Sequence, residues 1–161
     1  MEELALSLLH QFGYIGLFVI SAVSSATIFL PLPGYLIIPV AATTLNPFLV
    51  GIVAGAGSAA GEMTSYLLGL GGRKLSGKAK KDADAWFERL KELFSKYNGF
   101  AIIFAFSALP LPFDAMGLFC GAIKYDAKKF FLATLSGKII RYLALAYAVV
   151  FGIDAITGLL H

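Results

Sequence analysis

The chain has 161 residues, 58% of them hydrophobic and only 14% charged, with a formal net charge of +3 and a mean hydropathy of +0.80. Soluble domains run at roughly 45–50% apolar and about 25% charged residues, so this composition excludes a soluble globular protein. It also argues against a nucleic-acid partner, because the positive charge is small and confined to a few points. Alternating ten-residue strands with turn signals do not occur, which argues against an outer-membrane barrel. The single cysteine, Cys120, rules out an internal disulfide framework and reads as a packing residue. No lysine or arginine precedes the first apolar run, so a cleavable signal peptide is not expected.

In chain order, Leu4, Leu8, Leu9 and Phe12 fall at helical spacing and predict a short interfacial helix over 3–12. His10 on it has no neighbouring metal-binding partner and reads as headgroup-facing. Residues 13–45 are uncharged but interrupted by Pro31, Pro33, Gly34 and Pro39. At ~1.5 Å per residue, 13–30 nearly spans a ~30 Å hydrocarbon core, while the remainder is too short to cross again. A hairpin that enters and leaves on one face is expected. Asn46-Pro47 then marks a turn.

Residues 48–70 read as the cleanest spanning helix. It carries Gly51-x-x-x-Gly55 and Gly57-x-x-x-Gly61, spacings that let helices approach closely in lipid and argue only weakly for a homodimer. Glu62 and Tyr66 share one of its faces. Residues 73–81 form a basic, glycine-punctuated loop, cytoplasmic by the positive-inside rule. An amphipathic helix is expected over 82–97, capped by Asp82 or Asp84 and lying on the membrane surface. Trp86, Phe87, Leu90, Leu93, Phe94 and Tyr97 make its apolar face, and Glu88–Lys91 and Glu92–Lys96 are spaced to pair.

Residues 99–123 are apolar, yet Pro110 and Pro112 must break any helix through them, and Asp114 follows. Basic residues flank this stretch on both sides, with Lys124, Lys128 and Lys129 behind it, so it should turn back rather than cross. A span over 130–151 follows, carrying Lys138 and Arg141 and ended by Asp154. The predicted architecture is an all-α integral membrane protein of one domain, 1–161. It consists of an inverted repeat of re-entrant helical hairpin plus transmembrane helix, about 13–72 and 99–158, with the interfacial helix 82–97 between the halves. An offset of 79 residues lays Pro31-Leu32-Pro33 on Pro110-Leu111-Pro112.

Counting rise from the helix ends puts Glu62, Lys138 and Arg141 at depths of ~12–16 Å, near the midplane, with Asp114 at a hairpin tip. Two acids and two bases there would neutralise one another, which matters because an unpaired charge at the centre costs at least ~2.5–3.5 kcal/mol. One reading is a structural ion-pair cluster that only holds the halves together. The other is a polar route for a charged headgroup, lined by Glu62, Tyr66, Asp114, Lys138 and Arg141, with the two bases holding a phosphate. No Ser-His-Asp, Cys-His, zinc-spaced or phosphate-loop pattern occurs, so no enzyme, metal or cofactor is expected.

The segment Pro110-x-Pro112-x-Asp114, then Gly121, Phe130-Phe131 and Gly137-Lys138-x-x-Arg141-Tyr142, resembles the DedA/VTT (SNARE-associated Golgi protein) family, nearest its YqaA-like branch. Gly61-Glu62-x-x-x-Tyr66-x-x-Gly69 is similar to another pattern of that family. Where many members carry an acid after the first Pro-x-Pro-Gly this chain has Tyr35, and where many carry arginines around the second-hairpin proline it has Ser107 and Phe113. The resemblance implies opposed re-entrant hairpins and movement of lipids between leaflets. Bacterial members are linked to polyprenyl-phosphate recycling with proton or sodium coupling, and eukaryotic ones to phospholipid scrambling. The expectation is therefore a multi-pass plasma-membrane flippase or scramblase whose partners are membrane lipids. The alternatives are an ion-coupled small-solute exporter and a non-transporting assembly factor.

Overall fold

A computed structural model describes residues 12–26, 34–71, 78–109, 111 and 113–159, with the side chains of 34–36, 78–86 and 153–159 outside that description. Pro31, Pro33, Pro110 and Pro112, and the helix expected over 3–12 except for Phe12, lie outside the described residues. All regular structure among the described residues is helical. The helices are α1 (Tyr14–Ala26), α2 (Gly34–Thr44), α3 (Pro47–Leu70), α4 (Lys78–Lys96), α5 (Gly99–Ala108), α6 (Phe113–Ala122) and α7 (Ala127–Leu159).

Local chemistry sets the boundaries. Asn46 caps α3 by accepting from the amides of Phe48 and Leu49, and Pro47 takes the first helical position, where no amide donor is missed. Asn98 caps α5 in the same way through the amide of Phe100. α5 ends at Ala108 and α6 begins at Phe113, as the proline pair between them requires. Each is 10 residues long, ~15 Å, which is half of what a ~30 Å hydrocarbon core demands.

Several boundaries differ from those expected. Pro39 does not interrupt α2, which runs through it from Gly34. α4 begins at Lys78, so Asp82 and Asp84 lie within it rather than at its cap. α7 continues past Asp154 to Leu159. Lys91 and Glu88 pair at 2.7 Å, but Glu92 and Lys96 do not. The one described helix long and apolar enough to cross a membrane is α7, over Ala127–Gly152. The helix expected to be the cleanest span, α3, has 24 residues but is rich in Gly, Ala and Ser, because it is packed on several sides by protein instead of facing lipid.

That packing makes α3 the axis of the molecule, touching α1, α6 and α7 extensively. Its glycines are where backbones meet. A methyl on Gly55 would lie 2.8 Å from Ile139 Cα, and one on Gly51 2.9 Å from Leu143 Cα, so α7 crosses α3 antiparallel at backbone contact. Gly57 and Gly61 receive the Phe18 and Ala22 carbonyls of α1, which runs parallel to α3. Both Gly-x-x-x-Gly pairs are thus filled within the chain. Further along, Gly69, Gly117 and Gly121 join α3 to α6, again parallel, while Gly137 joins α7 to α5 against Phe104 and Ser107.

Both broken segments come back to where they start. The Asn46 amide donates to the Tyr14 hydroxyl at 3.2 Å, bringing the end of α2 to the beginning of α1. Tyr125, just after α6, packs edge-on against Phe94 at 5.9 Å, beside Gly99 at the start of α5. The first meeting point lies at the N-terminal end of α3 and the second beyond its C-terminal end. Two apolar cores fill the space between them. One is aliphatic, with Leu17, Ile37, Ile38, Val50 and Ala146; the other is aromatic, with Tyr66, Phe113, Phe119 and Phe130.

α4 contributes to the aromatic core. Leu90 is fully buried, and Phe87 and Phe94 stand edge-on against Phe119 of α6 at 5.5 and 5.2 Å. The apolar face expected to lie in lipid is therefore seated on protein over these residues, a consequence of the exposed aromatic floor that α6 would otherwise leave.

Backbone contact predicts a sharp contrast between glycines. Gly55→Ala forces a methyl into α7 and should cost about 1–3 kcal/mol. Gly152→Ala has nothing within 4 Å of the added methyl and should be neutral or stabilising by up to ~1 kcal/mol. Denaturant titration of helicity in micelles measures both.

Candidate functional site

Where α3 and α7 cross, Lys138 Nζ donates to Glu62 Oε1 at 2.7 Å. Both residues are buried, Glu62 at 4% and Lys138 at 3% exposure. The ammonium also stands over the Phe113 ring, 5.3 Å from its centroid, so α6 supplies a third wall. Desolvating two charges is costly and is offset only by close geometry and further hydrogen bonds. The pair is placed by antiparallel register: Ser58 faces Tyr142 one turn to one side, and on the other Tyr66, one turn along α3, reaches Phe130, two turns back along α7.

Polar groups extend from this pair towards both broken segments. The Tyr142 hydroxyl donates to Ser58 Oγ at 3.3 Å, and Ser58 Oγ is hydrogen-bonded to Ser25 Oγ of α1. On the other side Ser65 Oγ donates to Asp114 Oδ1 at 3.3 Å, joining α3 to the first turn of α6. An aspartate there also complements the positive end of the helix dipole. Arg141 Nη1 donates to the Leu109 carbonyl at 3.3 Å, at the C-terminus of α5. Arg141 and Asp114 are both partly exposed, unlike Lys138 and Glu62.

The four charges predicted to meet do share one neighbourhood. Asp114, Lys138 and Arg141 all act electrostatically on Glu62, and Lys138 acts on Asp114. Only one contact ion pair forms among them, between Glu62 and Lys138. Lys138 is thus committed to Glu62 and Phe113 rather than presented beside Arg141. Tyr66 lies one turn beyond Glu62 on α3. Its ring stacks on Phe130 at 5.0 Å and its hydroxyl donates to the Tyr125 carbonyl, sealing the pair from the α4 side. Gly34 begins α2.

Sequence reasoning passed over Ser25, Ser58, Ser65 and Phe113. Ser58, Glu62 and Tyr66 recur every fourth residue, which is the signal that could have marked the serine as part of the polar stripe. Among the described residues no group of three or more His, Cys, Asp or Glu side chains is placed to hold a metal ion.

Because the pair balances itself, Lys138→Met should lose about 3–5 kcal/mol by stranding a buried carboxylate. Replacing both partners with Met should recover most of that loss. Unfolding of the three variants in micelles measures it, and a double variant as unstable as the single one would show that Asp114 and Arg141 depend on the pair as well.

The VTT domain model matches residues 32–151, well over half of the chain, and takes in Glu62, Asp114, Lys138 and Arg141. No curated protein and no solved structure matches it. The chain belongs to the DedA/VTT family of membrane proteins.

Proposed function

We propose that this protein is an integral membrane lipid transporter, a flippase or scramblase that moves a lipid with a phosphate headgroup between leaflets. The observation that carries the reading is the set of two acids and two bases gathered where α3, α6 and α7 meet, with Arg141 and Asp114 partly open at the tip between α5 and α6. Ionisable residues at membrane depth are functional by default. Arginine offers a planar fork suited to phosphate. In this reading Arg141 receives the headgroup phosphate and Lys138 stays with Glu62. Asp114 balances charge or carries a coupling proton or sodium ion, and the acyl or prenyl chain remains in lipid.

The same reading takes each broken segment as a re-entrant hairpin and the two halves as an inverted repeat. Three features support it. The ends of each segment meet, at opposite ends of α3. The second arms, α2 and α6, begin 79 residues apart, at Gly34 and Phe113. The contact of Ser25 with Ser58 has its counterpart, at the same spacing of 79, in that of Phe104 with Gly137. The lysines at 124, 128 and 129 are exposed on the face where α7 begins, which is cytoplasmic by the positive-inside rule. The protein would then be a multi-pass plasma-membrane protein, of the YqaA-like branch, with membrane lipids as partners and no catalytic chemistry, cofactor or nucleic acid. A homodimer would have to use surfaces other than the two Gly-x-x-x-Gly pairs.

Reconstitution in liposomes with labelled phospholipid or polyprenyl phosphate tests the transport. Flip above that of empty vesicles is expected for at least one substrate, and none for either would remove the proposal. Arg141→Met should lower the rate roughly 10–100-fold while helicity persists, since a charge-assisted hydrogen bond is worth about 1.5–3 kcal/mol. Unchanged biological function in a folded Arg141→Met protein would favour the assembly-factor reading. Impermeant thiol labelling of cysteines placed at 100 and 123 should modify both from one face; labels on opposite faces would replace the second hairpin with a span.

A further inference from the structure

The two arms of the second segment are fixed to different partners. α6 is joined to α3 by backbone contact at Gly69, Gly117 and Gly121, whereas α5 is joined to α7 at Gly137. The arms touch each other only sparsely. These contacts group α3 with α6 and α5 with α7, and the seam between the two groups is the broad crossing of α3 and α7.

What crosses the seam on the α4 side is side chains. Tyr66 from the first body stacks on Phe130 of the second at 5.0 Å, and Phe113 lies tilted against the same ring at 5.9 Å. The Tyr66 hydroxyl holds the Tyr125 carbonyl, in the joint that leads from α6 to α7. Glu62 and Lys138 close the same seam deeper in, one turn along α3 and two along α7. At the other end the bodies meet through backbone, with Gly51 and Gly55 against Leu143 and Ile139. Ring contacts slide and re-form on small displacements, while glycine-mediated backbone contact leaves no such latitude.

Two buried atoms also face this seam, Glu62 Oε2 on α3 and Thr134 Oγ1 on α7, one turn before Lys138. Neither has a hydrogen-bond partner among the described residues, so parting the bodies would give both access to partners that the closed arrangement denies them.

We infer that the protein works by parting along this seam: α5 and α7 move as a unit away from α3 and α6, pivoting on the Gly51/Gly55 crossing. Tyr66 is the latch that holds the α4-side end shut. The structure described here is the closed arrangement. Opening would expose Glu62, Lys138 and Thr134 to a headgroup held first by Arg141, which rests on the transport reading above. The residues of the joint 123–126, where Lys124 adopts a left-handed φ of 54°, are placed to absorb the change.

Spin-label distances test the motion without reference to transport. Cysteine pairs are placed on exposed positions in a Cys120→Ala background and measured in nanodiscs of phosphatidylethanolamine and phosphatidylglycerol. The pair 67/105 spans the seam, the pair 105/132 lies within the moving body, and the pair 49/147 brackets the pivot. The expected result is two populations for 67/105, with Tyr66→Phe shifting weight to the longer one, and a single population for each of the other pairs. A single, unshifted distance for 67/105 in both backgrounds, or a second population in either reference pair, would overturn the inference. Because the readout is a distance and not transport, a protein that moves lipid without this motion is distinguished from one that moves this way but carries no lipid.

Discussion

A lysine and a glutamate at one depth, on two different helices, set the terms for everything around them. Neither Glu62 nor Lys138 can stand alone in an apolar interior, so α3 and α7 must cross in a register that brings them within 2.7 Å. A shift of one turn would set both charges opposite neutral side chains. The pair is in turn usable only if helices approach closely enough to exclude lipid and water. That requirement explains the composition of α3, in which glycine, alanine and serine displace the large apolar residues of an ordinary span. Stability here comes from proximity, and proximity from the absence of side chains.

The broken segments meet the same demand differently. Helices of ~15 Å cannot cross the hydrocarbon core, and their inner ends leave backbone groups that lipid cannot satisfy. In the second segment protein groups meet this need: Arg141 donates to the Leu109 carbonyl, and Asp114 occupies the first turn of α6, where negative charge complements the helix dipole. The polar atoms that make a short helix tolerable are therefore the ones to which the proposed transport assigns the headgroup. Structural repair and the candidate site draw on the same residues.

Much of this was legible in the sequence. The second proline pair located the break between α5 and α6, Asn46 and Asn98 the caps, and the isolated charges the candidate site, because each residue acts through local geometry that hydropathy does not obscure. Less legible were features that depend on what lies opposite. Phe87, Leu90 and Phe94 have the spacing of a surface-seeking helix, and periodicity cannot say whether the apolar face meets lipid or Phe119. Lys138 and Arg141 are three residues apart and looked like joint ligands, yet a turn of helix and a neighbouring carboxylate separate their roles. Serines 25, 58 and 65 drew no notice, since hydropathy does not announce that Ser25 will face Ser58 or Ser65 face Asp114.

Taken as two copies of one unit, as proposed, the halves differ most where they must. The spacing of 79 sets Glu62 against Arg141, an acid against a base at equivalent points of α3 and α7. Identical copies would bring like charges towards each other at an antiparallel crossing buried from water, where repulsion adds to the cost of desolvation. The backbone can repeat, because close approach needs only small residues at equivalent places, as Ser58 and Gly137 supply. Charge cannot repeat in the same way. An inverted pair that holds ions at its centre is therefore driven to become acidic in one half and basic in the other, and such a site belongs to neither half alone.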